Sequence, residues 1–190
     1  MKQTILKILQ ESIEVKERSI KSNLGLIVKG ADILASCIAS DHKILIFGNG
    51  GSAADSQHIA AEFVNRFQIE RRPLAALALT TDTSVITSIG NDYHFDQIFS
   101  KQIQGLGKRD DIAWGISTSG NSKNVINALN AAKEKGIFTI GMTGNGGEIS
   151  KYADLLFTVN SETTARIQET HITMAHILCD LVDGTLFSQD

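Results

Sequence analysis

Five short apolar segments, separated by stretches of helical periodicity, constrain the fold more than any other feature of the sequence. Each segment is apolar almost throughout instead of alternating with polar residues, which is typical of strands buried on both faces of a parallel sheet. Because helical stretches lie between them, the pattern predicts an α/β fold with helices on both faces of a five-stranded parallel sheet. The predicted strands are KILIF (43–47), LAALALT (74–80), DIAWGIS (111–117), IFTIGMT (137–143) and DLLFTV (154–159).

The helical stretches complete the predicted architecture. Residues 3–39 carry apolar side chains at helical spacing, and we interpret them as two N-terminal helices broken around Ser22–Gly25. A chain of 190 residues is of ordinary length for one domain, so we expect a single domain over residues 1–190. Within it, segment 1–39 is expected to pack on the sheet or on a neighbouring subunit. The other predicted helices are 52–66, 82–89, 95–104, 122–135 and 162–187.

The composition argues against several classes of partner. The net charge is -3, so the sequence does not predict direct binding to nucleic acid. No apolar run approaches the ~20 residues that cross a bilayer, and the N-terminus lacks the apolar core of a signal peptide. Cys37 and Cys179 lie in apolar helical stretches and form no disulfide pattern. We therefore expect a reduced, cytoplasmic protein with no membrane partner.

Polar residues are concentrated where the predicted strands end, which is where parallel α/β sheets bind ligands. The third strand is followed by STSGNS, and hydroxyls at a helix N-terminus form an anion site that the helix dipole strengthens. A helix cap explains one or two such residues, whereas this many favours a phosphomonoester site. A Walker lysine pattern is absent, so a nucleoside triphosphate is not indicated. The candidate phosphate-binding residues are Ser117, Thr118, Ser119 and Ser122.

The helix after the glycine turn GNGG carries a histidine and a carboxylate on one face. Ser52 is the predicted cap of this helix, His58 and Glu62 are four residues apart, and Asp55 and Arg66 lie near the same stripe. Such a pair can bind one divalent metal, place a general base beside its partner, or be a solvated surface pair. A solvated surface pair is the commonest case for this spacing alone, and the position just beyond a glycine turn strengthens the two functional interpretations against it.

The last predicted helix places polar side chains on an otherwise apolar face. Gln168 and His176 share that face, and polar groups that become buried there need partners. His176 is either a core histidine bonded to a carbonyl or a functional group. Gln168 and His176 lie about 12 Å apart along an ideal helix, so one metal takes both only if they lean together or come from different subunits. His171 lies off this face, and we expect it at the surface or behind the residues that touch a ligand.

Four motifs together resemble those of the phosphoheptose isomerases, a branch of the SIS (sugar isomerase) domain family. They are GNGGSAADSQHIAAE, GND at 90–92, GISTSGNS and ARIQETHITMAHIL, and the similarity runs over nearly the whole chain in matching order. The resemblance implies a flavodoxin-like three-layer sandwich that assembles as a homotetramer with interfacial active sites. It also implies the interconversion of sedoheptulose 7-phosphate and D-glycero-D-manno-heptose 7-phosphate, the first step of ADP-heptose synthesis for the lipopolysaccharide core.

The resemblance also assigns roles to single positions of these motifs. It implies one zinc ion per subunit, with the ligands His58, Glu62, Gln168 and His176. It implies substrate contacts from Asn49, Gly50, Gly51, Glu62, Asn91, Asp92, Ser117, Thr118, Ser119, Ser122 and Gln168.

This reaction explains why a histidine and carboxylates would share a helix after a glycine turn. Aldose–ketose isomerisation moves a proton between C1 and C2 through an enediol, so it needs a base near both carbons and a group that polarises the carbonyl. A divalent ion serves as that Lewis acid. We expect Glu62 to move the proton and His176 to act as the opposing acid–base group or as a metal ligand.

A second interpretation is a protein of the same branch without enzymatic activity. The chain also resembles the homotetrameric SIS protein that binds the replication initiator DnaA, notably in VNRFQIERRPLAALALTTDT and in LCDLVDGTLF. Those matches lie largely in scaffold segments. That relative lacks the metal-site acid and the second histidine, whereas Glu62 and His176 are both present here. The sequence therefore favours the enzyme over the possible DnaA partner.

Overall fold

The computed structural model describes residues 1–187 and contains one five-stranded sheet in that range. The predicted domain extends to residue 190, so residues 188–190 lie outside the described residues. All neighbouring strands are parallel, and their order is β2-β1-β3-β4-β5, the order of flavodoxin-like folds. The predicted fold class is confirmed. The strands are β1 (Ile44–Gly48), β2 (Ala76–Ala78), β3 (Ile112–Ser117), β4 (Phe138–Thr143) and β5 (Leu155–Thr158).

Helices occupy the predicted segments with two local differences. The third helix runs on to Asp92, and the segment predicted as one helix over 95–104 is divided into a 3-10 turn, Phe95–Gln97, and a short helix. A second 3-10 turn covers Glu148–Lys151. The helices of residues 1–187 are α1 (Lys2–Ala39), α2 (Gly51–Val64), α3 (Thr83–Asp92), α4 (Ser100–Leu106), α5 (Lys123–Glu134) and α6 (Thr164–Phe187).

The helices lie in two layers, one on each face of the sheet. Successive residues of a strand point to opposite faces. In β1, Ile44 and Ile46 belong to a core that they share with α1, α2 and α6, whereas Leu45 and Phe47 belong to a core shared with α4 and α5. Because β1, β3 and β4 are buried on both faces, their sequences are apolar throughout.

The edge strand β2 is shorter than the predicted strand 74–80. It pairs with β1 alone, with Ile44 opposite Ala76. Leu74, just after Pro73, donates its backbone N–H to the carbonyl of Phe63 at the end of α2 instead of extending the ladder. Leu74, at the start of the predicted strand 74–80, therefore belongs to the connection between α2 and β2.

The predicted break around Ser22–Gly25 is wrong, because α1 is one continuous helix. Asn23, one of the polar residues of that stretch, attaches α1 to β5. Asn23 is buried, and its Nδ2 donates to the carbonyls of Ser19, at 2.8 Å, and Thr158, at 2.9 Å. The backbone N–H of Thr158 donates to Oδ1 of Asn23 at 3.3 Å. An amide that bonds the edge of β5 thus accounts for the polarity without ending the helix.

The continuity of α1 bears on the expected absence of a membrane-length stretch. One 18-residue window of α1 has a mean hydropathy of 1.3, and 44% of that window is buried inside the chain. By length and composition it could cross a bilayer, so the expectation does not hold by this criterion. Core helices of globular proteins meet the same limits, which makes this weak evidence for a membrane span.

We predict that Asn23→Ala lowers the free energy of unfolding by about 1–3 kcal/mol, since it leaves the Thr158 backbone groups of a buried contact unpaired. Urea unfolding at equal protein concentration measures the change. The matched control is Asn130→Ala, because the Asn130 amide bonds Glu134 on the exposed face of α5. We expect that control to stay within about 0.5 kcal/mol of the parent. Equal losses in the two variants would contradict a docking role for Asn23.

Candidate active site

The loop after β1 turns sharply into α2. Gly50, the residue before the helix, has a φ of 55°, a conformation that favours glycine. The predicted cap, Ser52, is wrong, because Gly50 occupies the cap position and Ser52 lies buried in the first turn. The backbone N–H of Ser52 donates to the carbonyl of Asn49 at 3.0 Å. The turn is therefore closed by backbone hydrogen bonds and not by a side-chain cap.

Asn49, in this glycine turn, is fixed by a reciprocal pair of amide hydrogen bonds. Its Nδ2 donates to Oδ1 of Asn124 at 2.9 Å, and Nδ2 of Asn124 donates to Oδ1 of Asn49 at 2.8 Å. Asn124 is buried in the first turn of α5, the helix that follows β3. The pair joins the two loops that leave the neighbouring strands β1 and β3. Asn124 was not predicted as a site residue, although its place two residues after STSGNS was an available signal.

Gln168 of α6 lies against the glycine turn. A Cβ atom added to Gly51 would be 2.9 Å from the Cδ of Gln168, a separation that real Cβ atoms essentially never show. Seven residues further along α2, His58 contacts His176, which is eight residues after Gln168. Because both contacts advance in the same direction along the chain, α2 and α6 run parallel and side by side. Glycine at 51 leaves room for the Gln168 amide in this position.

Three side chains from α2 and α6 converge at the second contact. The Nε2 of His58 is 2.9 Å from the Nε2 of His176 and 3.3 Å from the Oε1 of Glu62. One donor atom from each residue lies within 4.8 Å of the other two. The structure thus brings together the carboxylate and the imidazole that the sequence predicted on two separate helices.

This donor set suits a zinc-type divalent ion. Zinc binds imidazole nitrogen and carboxylate oxygen at about 2.0–2.2 Å, which places tetrahedral ligand atoms roughly 3.3–3.6 Å apart. The separations of 2.9 and 3.3 Å are close to that spacing. Two histidines and one carboxylate also form a ligand set of catalytic zinc sites, which keep a further position open. Gln168, the fourth predicted ligand, has its amide against Gly51.

Burial and neighbouring charges set the protonation of the residues around this cluster. Burial, and then the neighbouring His58, lower the pKa of His176, while Glu62 opposes the shift. His176 is therefore neutral at pH 7, the form that binds a metal or accepts a proton. Burial raises the pKa of Asp55, one turn before His58, whose charge opposes the shift. Burial also raises the pKa of Cys179 to about 12, so this nearby sulfur remains a thiol.

The predicted phosphate-binding residues lie in one loop between β3 and α5. The hydroxyl of Ser117 is buried and donates to the Oγ of Ser122 at 2.9 Å, and it lies 3.4 Å from the Oγ of Ser119. The backbone N–H of Asn121 donates to the Oγ of Ser119 at 3.2 Å. Ser122 occupies the cap position of α5 but makes no side-chain cap bond in the described chain. Capping therefore does not account for its hydroxyl, and its role in binding a phosphate stays a prediction.

The loop after β4 holds the phosphate loop in place. The backbone N–H of Gly144 donates to the carbonyl of Thr118 at 3.0 Å, and that of Ile149 donates to the carbonyl of Gly120 at 2.9 Å. The N–H of Glu148 donates to the Oδ1 of Asn121 at 2.9 Å. The loop after β4, which contains the glycines of the segment TGNGG, is thus hydrogen-bonded to the loop after β3.

The surface position considered for His171 is wrong, because this side chain is 1% exposed. Its Nε2 lies 3.1 Å from the carbonyl of Thr143, so this nitrogen carries the proton and donates. Burial lowers the pKa of His171 to about 4, and the bond to Thr143 opposes the shift only in part. His171 therefore joins α6, as a neutral imidazole, to the end of β4 behind the phosphate loop.

Asn91 and Asp92 lie at the exposed end of α3. The Nδ2 of Asn91 donates to the Oδ1 of Asp92 at 2.8 Å. Within residues 1–187, no hydrogen bond joins either side chain to the glycine turn or to the phosphate loop. Their contact with a substrate stays a prediction.

Comparison with known proteins places this geometry in a family context. A family model described as SIS domain matches residues 8–144. The phosphoheptose isomerase of Nitratidesulfovibrio vulgaris is 56% identical over 178 residues, which cover 93% of this chain and 86% of the relative.

Two solved structures resemble the whole chain. Phosphoheptose isomerase GmhA from Neisseria gonorrhoeae superposes with a TM-score of 0.91 at 46% identity, over 96% of this chain and 98% of the other. A phosphoheptose isomerase from Francisella tularensis gives a TM-score of 0.92 at 37% identity, over 95% and 97% of the two chains.

We predict that His171 makes the protein less stable in acid. Because its pKa is lowered in the folded state, its contribution is complete above pH 6.5 and is lost as the pH falls towards about 4. Between these pH values the free energy of unfolding should fall by up to about 1.4 kcal/mol per pH unit, the slope that corresponds to one proton taken up on unfolding. Urea unfolding of the parent and of His171→Gln between pH 7 and 4.5 isolates this contribution, since all other groups titrate in both proteins. Parallel pH profiles would show that His171 does not titrate on unfolding.

Proposed function

This chain belongs to the SIS domain family, and we propose that it is a phosphoheptose isomerase that interconverts sedoheptulose 7-phosphate and D-glycero-D-manno-heptose 7-phosphate. The relatives and solved structures with that name cover nearly the whole chain. The observation that carries the proposal is the convergence of His58, Glu62 and His176 on the two helices that flank the glycine turn. This convergence supplies acid–base groups and metal ligands on a scaffold that also presents a phosphate loop.

The phosphate loop and the glycine turn orient the substrate in this proposal. The exposed hydroxyl of Ser119 and the first N–H groups of α5 bind the phosphate, which the helix dipole favours. The amide of Asn49 is already fixed by Asn124, so it meets a sugar hydroxyl without a loss of side-chain freedom. Binding the phosphate at a fixed distance from Glu62 converts substrate affinity into orientation of C1 and C2.

Proton transfer falls to the two side chains that face each other across α2 and α6. Glu62 removes the proton from the carbon next to the carbonyl and returns it to the other carbon of the enediol. His176, which is neutral at pH 7, is either the acid–base group at the oxygens of C1 and C2 or, with an ion bound, one of its ligands. Half-burial of Glu62 keeps its carboxylate close to the sugar and partly shielded from water.

We propose zinc as the ion of this site, with His58, Glu62 and His176 as ligands. Gln168, whose amide lies against Gly51, would complete the set by leaning toward the cluster or from a neighbouring subunit. The separations of the first three donor atoms support this assignment. A bound divalent ion supplies a Lewis acid that polarises the carbonyl and stabilises the oxyanion of the enediol. Gln168 lies where its amide can also contact the sugar, next to Gly51.

The alternative role, binding of the replication initiator, is not supported by the comparisons. The relatives reported above are isomerases, and residues 1–187 carry the acid and both histidines of the cluster. No observation in the described chain favours a role in DnaA binding.

The assembly and the cellular role are part of the same proposal. We propose a homotetramer with active sites at subunit interfaces, and the apolar N-terminal half of α1 supports association, since Ile5, Leu6 and Leu9 are at least 54% exposed. A cytoplasmic location fits the two buried free thiols, Cys37 and Cys179. We place the reaction at the first step of ADP-heptose synthesis for the lipopolysaccharide core.

We predict that Glu62→Gln and His176→Gln each lower kcat by about 10²–10⁴-fold, because each removes a group that transfers a proton. A coupled turnover assay with sedoheptulose 7-phosphate, run with and without a chelator, measures the loss. The matched controls are Glu134→Gln, at the exposed end of α5, and His42→Gln, at the amino edge of the sheet. We expect both controls, and the folds of all four variants by circular dichroism, to match the parent. Near-parental turnover of both site variants in chelator-treated protein would contradict proton transfer by Glu62 and His176.

We predict that Ser119→Ala raises KM about tenfold and changes kcat less than threefold, because a phosphate contact binds substrate and transition state alike. Steady-state kinetics with the same sugar phosphate separates the two constants. Ser40→Ala, which removes a hydroxyl at the end of α1 on the opposite edge of the sheet, serves as control. A change confined to kcat would argue against an anion site at this loop.

A further inference from the structure

Arg71 and Asp183 form a buried ion pair that the proposed mechanism does not use. The Nε of Arg71 donates to the Oδ1 of Asp183 at 2.8 Å, and the two side chains are 1% and 4% exposed. Burying two charges is costly unless good geometry and additional hydrogen bonds compensate. A pair of this kind therefore calls for an account of what it holds in place.

The remaining donors of Arg71 grip the end of α2. Its Nη2 donates to the carbonyl of Glu62 at 2.8 Å, and its Nη1 donates to the carbonyls of Phe63, at 2.8 Å, and Asn65, at 3.0 Å. The last carbonyls of a helix have no partner within the helix, and a cation there is favoured by the helix dipole. Arg71 thus caps α2 at the residue that carries the proposed proton-transferring carboxylate.

Asp183 connects this cap to the other helix of the site. It lies on α6 seven residues after His176, which is about two helical turns and therefore the same face. The contacts form a closed ring that runs from the backbone of Glu62 through Arg71 and Asp183 to α6. From there it returns through His176 and His58 to α2. Loosening the clamp at one side of such a ring changes the separation of the side chains at the other.

We propose that Arg71 is a positioning residue that sets the carboxylate of Glu62 against the two histidines, by clamping the end of α2 to α6 through Asp183. The inference rests on the proposed function for its effect on turnover, but its effect on metal binding does not depend on the substrate. The guanidinium is suited to this task because its planar fork bonds three groups at once, which a lysine ammonium on a flexible stem does not reproduce.

The experiment measures zinc affinity as well as catalysis in Arg71→Lys and Asp183→Asn. Lysine keeps the charge but loses the fork, and asparagine keeps an oxygen acceptor but loses the charge. Competition for Zn²⁺ with a chromophoric chelator should show a 10- to 100-fold loss of affinity, the usual effect of removing a group that orients a metal ligand. Turnover should show a fall in kcat of at least tenfold, with KM for the sugar phosphate changed less than threefold.

The matched control is a second ion pair with a buried aspartate, at the amino edge of the sheet, where the Lys43 partner is 26% exposed. Asp111 is 2% exposed and pairs with Lys43, so Asp111→Asn makes the same chemical change far from the cluster. We expect it to lower the unfolding midpoint as Asp183→Asn does while zinc affinity and kcat stay within twofold of the parent. Equal effects of the two Asp→Asn variants on zinc affinity would reduce Arg71 to a general stabiliser and overturn the proposal.

A double-mutant cycle tests whether Arg71 acts through Glu62. If it does, adding Arg71→Lys to Glu62→Gln should lower zinc affinity no further, and additive losses would overturn the proposal. Should Arg71→Lys fail to fold by circular dichroism, Asp183→Asn decides by the same zinc measurement. If the parent bound zinc but did not convert sedoheptulose 7-phosphate, the proposed function would be wrong. The zinc-affinity measurements would still test the positioning role of Arg71.

Discussion

The parallel, side-by-side contact between α2 and α6 is the constraint on which the rest of the site depends. One end of the contact brings Gln168 onto Gly51, and the other brings His176 to His58. A side chain at position 51 would displace the amide of Gln168, so glycine there makes room for that side chain. Because the two helices lie in the same layer of the sandwich, their separation is set by a shared core and is not adjustable by a single loop.

The carboxyl edge of the sheet combines this helix pair with the phosphate loop. The strand order reverses between β1 and β3, and such switch points open a crevice between the loops of neighbouring strands. Here the crevice is braced from both sides. The Asn49–Asn124 amide pair joins the two loops directly, and the loop after β4 holds the phosphate loop through backbone bonds. Rigid support of this kind lets binding energy be used for orientation.

Much of this fold could be predicted from the sequence, and two positions that were misread or left open share one cause. Strands buried on both faces are almost entirely apolar, so their number and their places along the chain were readable from the sequence, whereas their order in the sheet was implied only by the family resemblance. The stretch Ser22–Gly25 was interpreted as a helix break. Its polar Asn23 instead bonds the carbonyl of Thr158 in β5, 135 residues away. For His171, a position at the surface and one behind the ligand-contacting residues were both left open, because its partner, the carbonyl of Thr143, belongs to a different element. In each case a polar residue satisfied by a distant backbone group looked like a local signal.

The sequence by itself determined the five strands and most of the helices, because periodicity and residue type are local properties, and its resemblance to a known family pointed to the side chains of a sugar-phosphate isomerase. Only the tertiary structure decided that His58 and His176, 118 residues apart, place their nitrogens 2.9 Å from each other beside Glu62. It also decided that the buried side chain of Arg71 joins α2 to α6, through the carbonyl of Glu62 and the carboxylate of Asp183. Distances between side chains on separate helices depend on how both pack on one sheet, and no spacing along the chain encodes that packing.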